Sequence, residues 1–311
     1  MKKIFTVLLI IISLFVVGCG KEKKETKYNI VTTSFPCYDF ARAVIKDVDD
    51  IGVEMLLKPG SETHDFEPTP KDIIDIKNSD IFIYVGGESD SWIDDILNDI
   101  DKEKTKIIKL MDIVDLYEEE HVEGMEEDEE KDEEEIEYDE HVWTSPVNAI
   151  KIVNSIKEEI KKLDSENSDK YETNGNEYTN KLSEIDSNIR DIVNSSKRKE
   201  LVFGDRFPLR YFTEEYGLTY RAAFPGCAHE TEASSKTVAY LINYVKDNNI
   251  PVIFHIELSN GKIANTIANE TNAKVLEFNT AHNISKDDFK NEVTYVDIYK
   301  KNIDSLKQAL N

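Results

Sequence analysis

The chain has 311 residues, 40% of them hydrophobic and 32% charged, with a formal net charge of −25. Such an excess of acid excludes a nucleic-acid-binding role, which needs clustered lysine and arginine against phosphate. The apolar fraction suits a globular protein built as one large domain or two modest ones. Much of the acidity is local: between Glu118 and Glu140 most residues are Asp or Glu. A run of that kind cannot bury itself, and 118–138 reads as a disordered acidic loop.

At the N-terminus Lys2 and Lys3 precede an almost unbroken apolar run from Ile4 to Val17. This is a secretory signal over 1–18, with an apolar core too short to span a bilayer comfortably. No later apolar run is long enough to cross a membrane. The stretch Val16-Val17-Gly18-Cys19 resembles the lipobox of bacterial lipoproteins, which implies a lipidated Cys19 as first mature residue. Residues 19–27 then form a polar tether. Cys37 and Cys227 remain, and the sequence leaves open a disulfide, two free thiols or a thiolate metal ligand.

In chain order, 29–32 predicts a strand, 39–45 a helix and 53–57 a second strand ended by Lys58-Pro59-Gly60. Thr69 caps a helix with Pro70 at its first position. A strand over 80–85, a helix over 91–98 and a strand over 106–110 follow. After the acidic run, Ser145-Pro146 opens a helix reaching about Leu163. From Asp169 to Ser196 the residues Tyr171, Tyr178, Leu182, Ile185, Ile189 and Ile192 form one stripe of a long helix, locally weakened by Gly175. The alternation then restarts, with strands over 201–203, 218–223, 252–256 and 275–278. Helices are expected over 207–216, 235–248, 261–271 and most of 285–310. The fold class is α/β: two lobes with parallel-rich sheets flanked by helices, joined by one long rigid helix, with a cleft between them. The boundaries fall at 28–165, 166–197 and 198–311.

Two histidines carry the chemistry. His64 lies in a loop between a strand and a capped helix, and His141 stands just before another capped helix. Neutral imidazole is a good ligand for zinc, copper, iron or nickel, although no close CxxC or HxxxH pattern is present. The run Pro59-Gly60-Ser61-Glu62-Thr63-His64-Asp65-Phe66-Glu67-Pro68 resembles the first ligand motif of the cluster A-I metal-binding proteins, the zinc and manganese solute-binding lipoproteins of ABC importers. Asp139-Glu140-His141-Val142-Trp143-Thr144-Ser145-Pro146 is similar to their second ligand motif. Ile30 to Pro36 and Ser79 to Gly87 resemble the neighbouring strands and turns, so the likeness covers nearly the whole mature chain.

The resemblance implies a metal held between the lobes by side chains from both, and a zinc-preferring site. Where the family offers a ligand after the first strand of the second lobe, this chain has Gly204-Asp205-Arg206, so Asp205 is the expected third ligand. The fourth comes from the loop after a late strand, where His282 is chosen over Asn279. His64, His141, Asp205 and His282 would suit four-coordinate zinc, whereas manganese prefers more oxygen. Glu230 and Glu232 read as charges at a helix start, and His255 and Glu257 as a hydrogen-bonded strand end. The acidic loop occupies the place of a family loop before the second motif, where carboxylates attract cations.

The expected function is an extracytoplasmic lipoprotein that captures Zn2+ as transported ligand for an ABC permease. It is a monomer that touches the membrane through its lipid anchor only. No nucleophile elbow or HExxH appears, so no enzyme is expected. A manganese-binding homologue and a surface adhesion lipoprotein are the alternatives.

Overall fold

The computed structural model describes residues 26–61, 66–126, 137–228 and 232–311. The expected signal segment, Cys19, His64 and Glu230 lie outside them. The first sheet takes β1 (Tyr28–Thr32), β2 (Ile51–Met55), β3 (Ile81–Tyr84) and β4 (Lys106–Lys109) in the order β2-β1-β3-β4. Its helices are α1 (Phe35–Val44), α2 (Pro70–Asn78) and α3 (Trp92–Leu97). Helix α4 (Pro146–Leu163) leads into α5 (Ser168–Ser195), the long helix. The second sheet then takes β5 (Glu200–Phe207), β6 (Thr219–Pro225), β7 (Val252–His255) and β8 (Lys274–Glu277) in the order β6-β5-β7-β8. Its helices are α6 (Arg210–Tyr216), α7 (Ser235–Asp247), α8 (Lys262–Asn269), α9 (Lys286–Lys290) and α10 (Tyr295–Leu310). Every strand pairing in both sheets is parallel.

Local chemistry explains the elements. All four residues of β3 are buried, as an apolar run in a parallel sheet covered on both faces must be. Thr69 and Asp72 form a reciprocal capping box on α2, and Ser145 caps α4 by accepting from the Asn148 N–H. The expected stripe on α5 is buried throughout. Gly175 has a positive reason in that helix: a Cβ there would lie 2.5 Å from Lys157 Cδ of α4, so glycine lets the two helices approach.

Two elements differ from the sequence reading. Strand β5 runs on to Phe207; within it Gly204 packs against the Ala264 backbone and the register with β6 slips between Phe203 and Arg206. The C-terminal helix is split. Glu292 adopts a left-handed φ of 56°, and Thr294 with Asp297 forms a new capping box for α10.

The acidic run also departs from a wholly solvated loop at its ends. Glu118 bridges Tyr138, and Met125 is buried. The Glu126 N–H donates to the Ala223 carbonyl at 3.0 Å, and Glu119 accepts from the Cys227 N–H at 3.1 Å. Glu120 pairs with Arg210. Residues 118–126 therefore lie along the second lobe, where N–H groups and a guanidinium stand in for water around the carboxylates.

The lobes are tied at many points. Asp39, wholly buried on α1, accepts from the Tyr295 N–H of α10 at 2.9 Å and from the side chains of Tyr178 and Arg42. The Tyr295 and Tyr299 hydroxyls donate to the carbonyls of Trp143 and Thr144, at 2.8 and 2.7 Å. The Trp143 indole N–H donates to the Thr280 carbonyl at 2.9 Å. Because Asp39 serves three donors at once, Asp39→Ala leaves them stranded in the interior. It should lower unfolding free energy by about 3 kcal/mol, read from denaturant titration of mutant and parent protein.

Candidate metal centre

In each sheet the chain order reverses between two central strands: β1 and β3 in the first, β5 and β7 in the second. The carboxyl ends at such a reversal splay their loops apart and leave a crevice that commonly takes a ligand. Here both crevices face one seam. A small cavity of about 20 Å³ there is lined by Thr33 and Ser34 after β1, Ser89 and Asp90 after β3, and by Glu140 and His282.

His141 is completely buried, at the point where the chain re-enters the first lobe before α4. Its own N–H donates to Asp139 Oδ1 at 2.8 Å, and its Nδ1 lies 3.1 Å from the same oxygen. A carboxylate held on Nδ1 fixes the ring and directs Nε2 as the coordinating nitrogen. Burial disfavours a charged ring, but Asp139, its hydrogen bond and Glu140 outweigh that effect and raise the His141 pKa above its ordinary value.

His282 comes from the loop after β8. Ala281 before it holds a left-handed φ of 59°, a conformation that costs a non-glycine residue energy and must be imposed by its surroundings. The imposing groups are visible. Buried Glu257 accepts the N–H groups of Thr280 and His282 at 2.7 and 2.9 Å and the Thr280 hydroxyl at 2.7 Å. The Ala281 N–H turns back to Asn279 Oδ1 at 2.9 Å. The loop presents the His282 ring 5.0 Å from that of His141, nearly perpendicular at 88°, and 4.8 Å from Trp143. The strand-end reading of Glu257 is thus correct, and its purpose is to aim a histidine.

Among the described residues, Glu140, His141 and His282 form a buried group whose donor atoms all lie within 4.8 Å of one another. Two imidazoles and a carboxylate make a donor set suited to zinc and its transition-metal neighbours. Glu140 is quoted in the second motif but not singled out in the sequence; its position directly before the apolar His-Val-Trp turn was the available signal. Ser89 reaches it from the loop after β3, donating its N–H to Oε2 at 3.0 Å and its hydroxyl to Oε1.

Asp205 stands apart from this group. Its Oδ1 accepts the Arg206 N–H at 2.9 Å and its Oδ2 the Ile256 N–H at 3.4 Å, so it fastens β5 to the end of β7. Cys37 and Cys227 are buried free thiols, one of the three alternatives that the sequence leaves open. Cys37 lies on the inner face of α1, where the Ser34 hydroxyl donates to its sulfur at 3.6 Å and burial pushes its thiol up to about 12. Cys227 is buried at the end of β6, and burial with the nearby Glu140 and Asp139 carboxylates raises its thiol well above the ordinary value. His255 turns its Nδ1 to the Ile256 carbonyl at 2.9 Å, and Glu232 is exposed before α7. Burial likewise raises the Asp90 carboxyl to about 7, against the pull of the Gly86 and Val85 N–H groups that it accepts.

The chain is similar along its length to zinc-binding proteins. It is 35% identical over 304 residues to the high-affinity zinc uptake system protein ZnuA of Bacillus subtilis (strain 168), covering 96% of this chain and 94% of that one. It is 33% identical over 311 residues to the zinc-binding lipoprotein AdcA of Streptococcus pneumoniae (strain ATCC BAA-255 / R6), covering 99% of this chain but 61% of that longer protein. The crystal structure of the Zn(II)-bound ZnuA-like domain of Streptococcus pneumoniae AdcA matches with a TM-score of 0.75 at 31% identity, over 91% of this chain and 99% of the domain. The family model for the periplasmic zinc-uptake complex component A, ZnuA, matches residues 30–309, and this chain belongs to that family.

Proposed function

We propose that this protein is the extracytoplasmic receptor of an ABC-type importer, capturing a divalent transition metal, zinc foremost, and delivering it to a membrane permease. One observation carries the reading: His141 from the first lobe and His282 from the second approach to 5.0 Å between ring centroids in a buried seam. Imidazoles at that distance, one with its Nδ1 fixed by a carboxylate, are arranged for a shared ion. Family membership and the zinc-binding relatives support the same conclusion. The imidazole-rich donor set favours zinc over manganese, which prefers oxygen.

His64 belongs to the proposed ligand set by the likeness of its motif. Cys19 is the proposed lipid anchor, with residues 19–27 as its tether, and the protein acts as a monomer. No described helix is long and apolar enough to cross a membrane.

His141→Ala should weaken zinc binding by at least about 100-fold, beyond the effect of losing a supporting group, while thermal unfolding of the metal-free protein stays cooperative. Chelator-competition calorimetry decides it; equal affinity in mutant and parent refutes the proposal. Zinc affinity should also fall with acid. A ligand histidine binds metal only when neutral, and the raised His141 pKa means that protons begin to compete above the ordinary histidine range. Below that pKa the loss should approach about tenfold per pH unit for each ligand that must shed a proton, measured as apparent affinity against pH. Cys19→Ala should move the protein from the membrane fraction to the soluble fraction of fractionated cells.

A further inference from the structure

A dication enclosed by neutral imidazoles leaves uncompensated charge in a seam from which water is largely excluded, an arrangement that costs heavily. An anionic donor that reaches the ion relieves that charge. Several buried carboxylates surround the site, and most are committed elsewhere. Asp139 holds the His141 ring, and Asp90 takes the Val85 and Gly86 N–H groups. Glu257 takes three donors from the 280–282 loop, and Asp205 takes the N–H groups of Arg206 and Ile256.

The geometry points to Glu140 as a direct ligand of the captured metal, supplied by the residue next to His141 and positioned from outside the site by Ser89. The inference rests on the metal-capture reading and adds to it a carboxylate that the expected set of His64, His141, Asp205 and His282 does not contain.

Three observations carry it. The candidate donor oxygen of Glu140 lies within 4.8 Å of the donor nitrogens of both His141 and His282. Zinc bonds of about 2.0–2.1 Å set tetrahedral donors about 3.3 Å apart, so a side-chain adjustment closes the site without moving the backbone. Next, Ser89 donates once to each carboxylate oxygen. An ionised carboxylate offers about four lone-pair sites, so Ser89 fixes the group and leaves acceptor capacity for an ion. Finally, room has been made for this side chain. Gly87 holds a φ of +83°, and a Cβ on it would stand 2.5 Å from Glu140 Oε2. Only glycine satisfies both the backbone conformation and the carboxylate packed against it.

The consequence is a mixed site in which one anionic oxygen lowers the charge of the loaded centre and couples it to the loop after β3. Ser89 is a positioning residue: it touches the ligand and not the ion.

The test compares the purified parent protein with Glu140→Gln, Ser89→Ala and His141→Ala, each titrated with zinc and, separately, loaded with Co(II) as a spectroscopic probe. Glutamine keeps the size of the side chain and an acceptor for Ser89, so folding is preserved. Glu140→Gln should lose more zinc affinity than the about 10–100-fold typical of an outer-shell change, and its Co(II) d–d bands should shift in position and intensity. Ser89→Ala should lose less than about tenfold and keep the parent spectrum. If Glu140→Gln weakens binding but keeps the parent Co(II) spectrum, Glu140 acts through His141 and the assignment as a ligand is overturned. Unchanged affinity and an unchanged spectrum overturn it as well. Failure of the underlying reading looks different: the parent protein would not bind zinc, or His141→Ala would bind it equally well.

Discussion

The short segment from Asp139 to Thr144 leads into the first lobe's α4 but is held by the second. Its carbonyls are taken in turn by the hydroxyls of Tyr211, Tyr295 and Tyr299, and its tryptophan donates to the Thr280 carbonyl. Each of these groups is buried. A buried carbonyl without a donor costs as much as a lost hydrogen bond, so the segment has one low-energy seat. The first-lobe side of the candidate metal centre follows from that seat. It fixes the His141 backbone, it sets Trp143 against the His282 ring at a tilt of 49°, and it sets Glu140 beneath the loop that carries Ser89.

A second principle runs through the seam. The protein is strongly acidic, yet the carboxylates around the site do not simply repel one another. Asp90, Asp205 and Glu257 each accept backbone N–H groups from a loop at a strand end. In that role a carboxylate acts as a mould for the backbone, fixing where the loop turns and where the next side chain points. Glu257 and Ala281 show the energetics clearly: three strong acceptor contacts hold a left-handed alanine in place, and the residue delivered is the second histidine.

Much of this was legible in the sequence, because strand runs and helix caps are local signals. The parallel α/β alternation, the long apolar stripe of α5 and the capped helix after His141 could all be read residue by residue. His282 was reachable through the family likeness alone, since nothing local distinguishes it from a surface histidine. Asp205 and Glu140 sit differently from the sequence reading for a tertiary reason. Asp205 reads as lying past the end of its strand, but β5 continues through it and its carboxylate takes backbone N–H groups at the ends of β5 and β7; Glu140 reads as part of the second motif with no role of its own, and the tyrosine-held segment places it inside. The cysteines lay beyond sequence reasoning altogether, because their spacing along the chain says nothing about where each sulfur is packed.

The bonds that seat this segment do not involve an ion. These ties hold without a cation, so any opening of the seam has to break buried hydrogen bonds as well as bonds to a metal. The 280–282 loop adds a second tie, since buried Glu257 holds the left-handed Ala281 turn in place. Weakening that grip would disturb the His282 side of the site and the closure of the seam together.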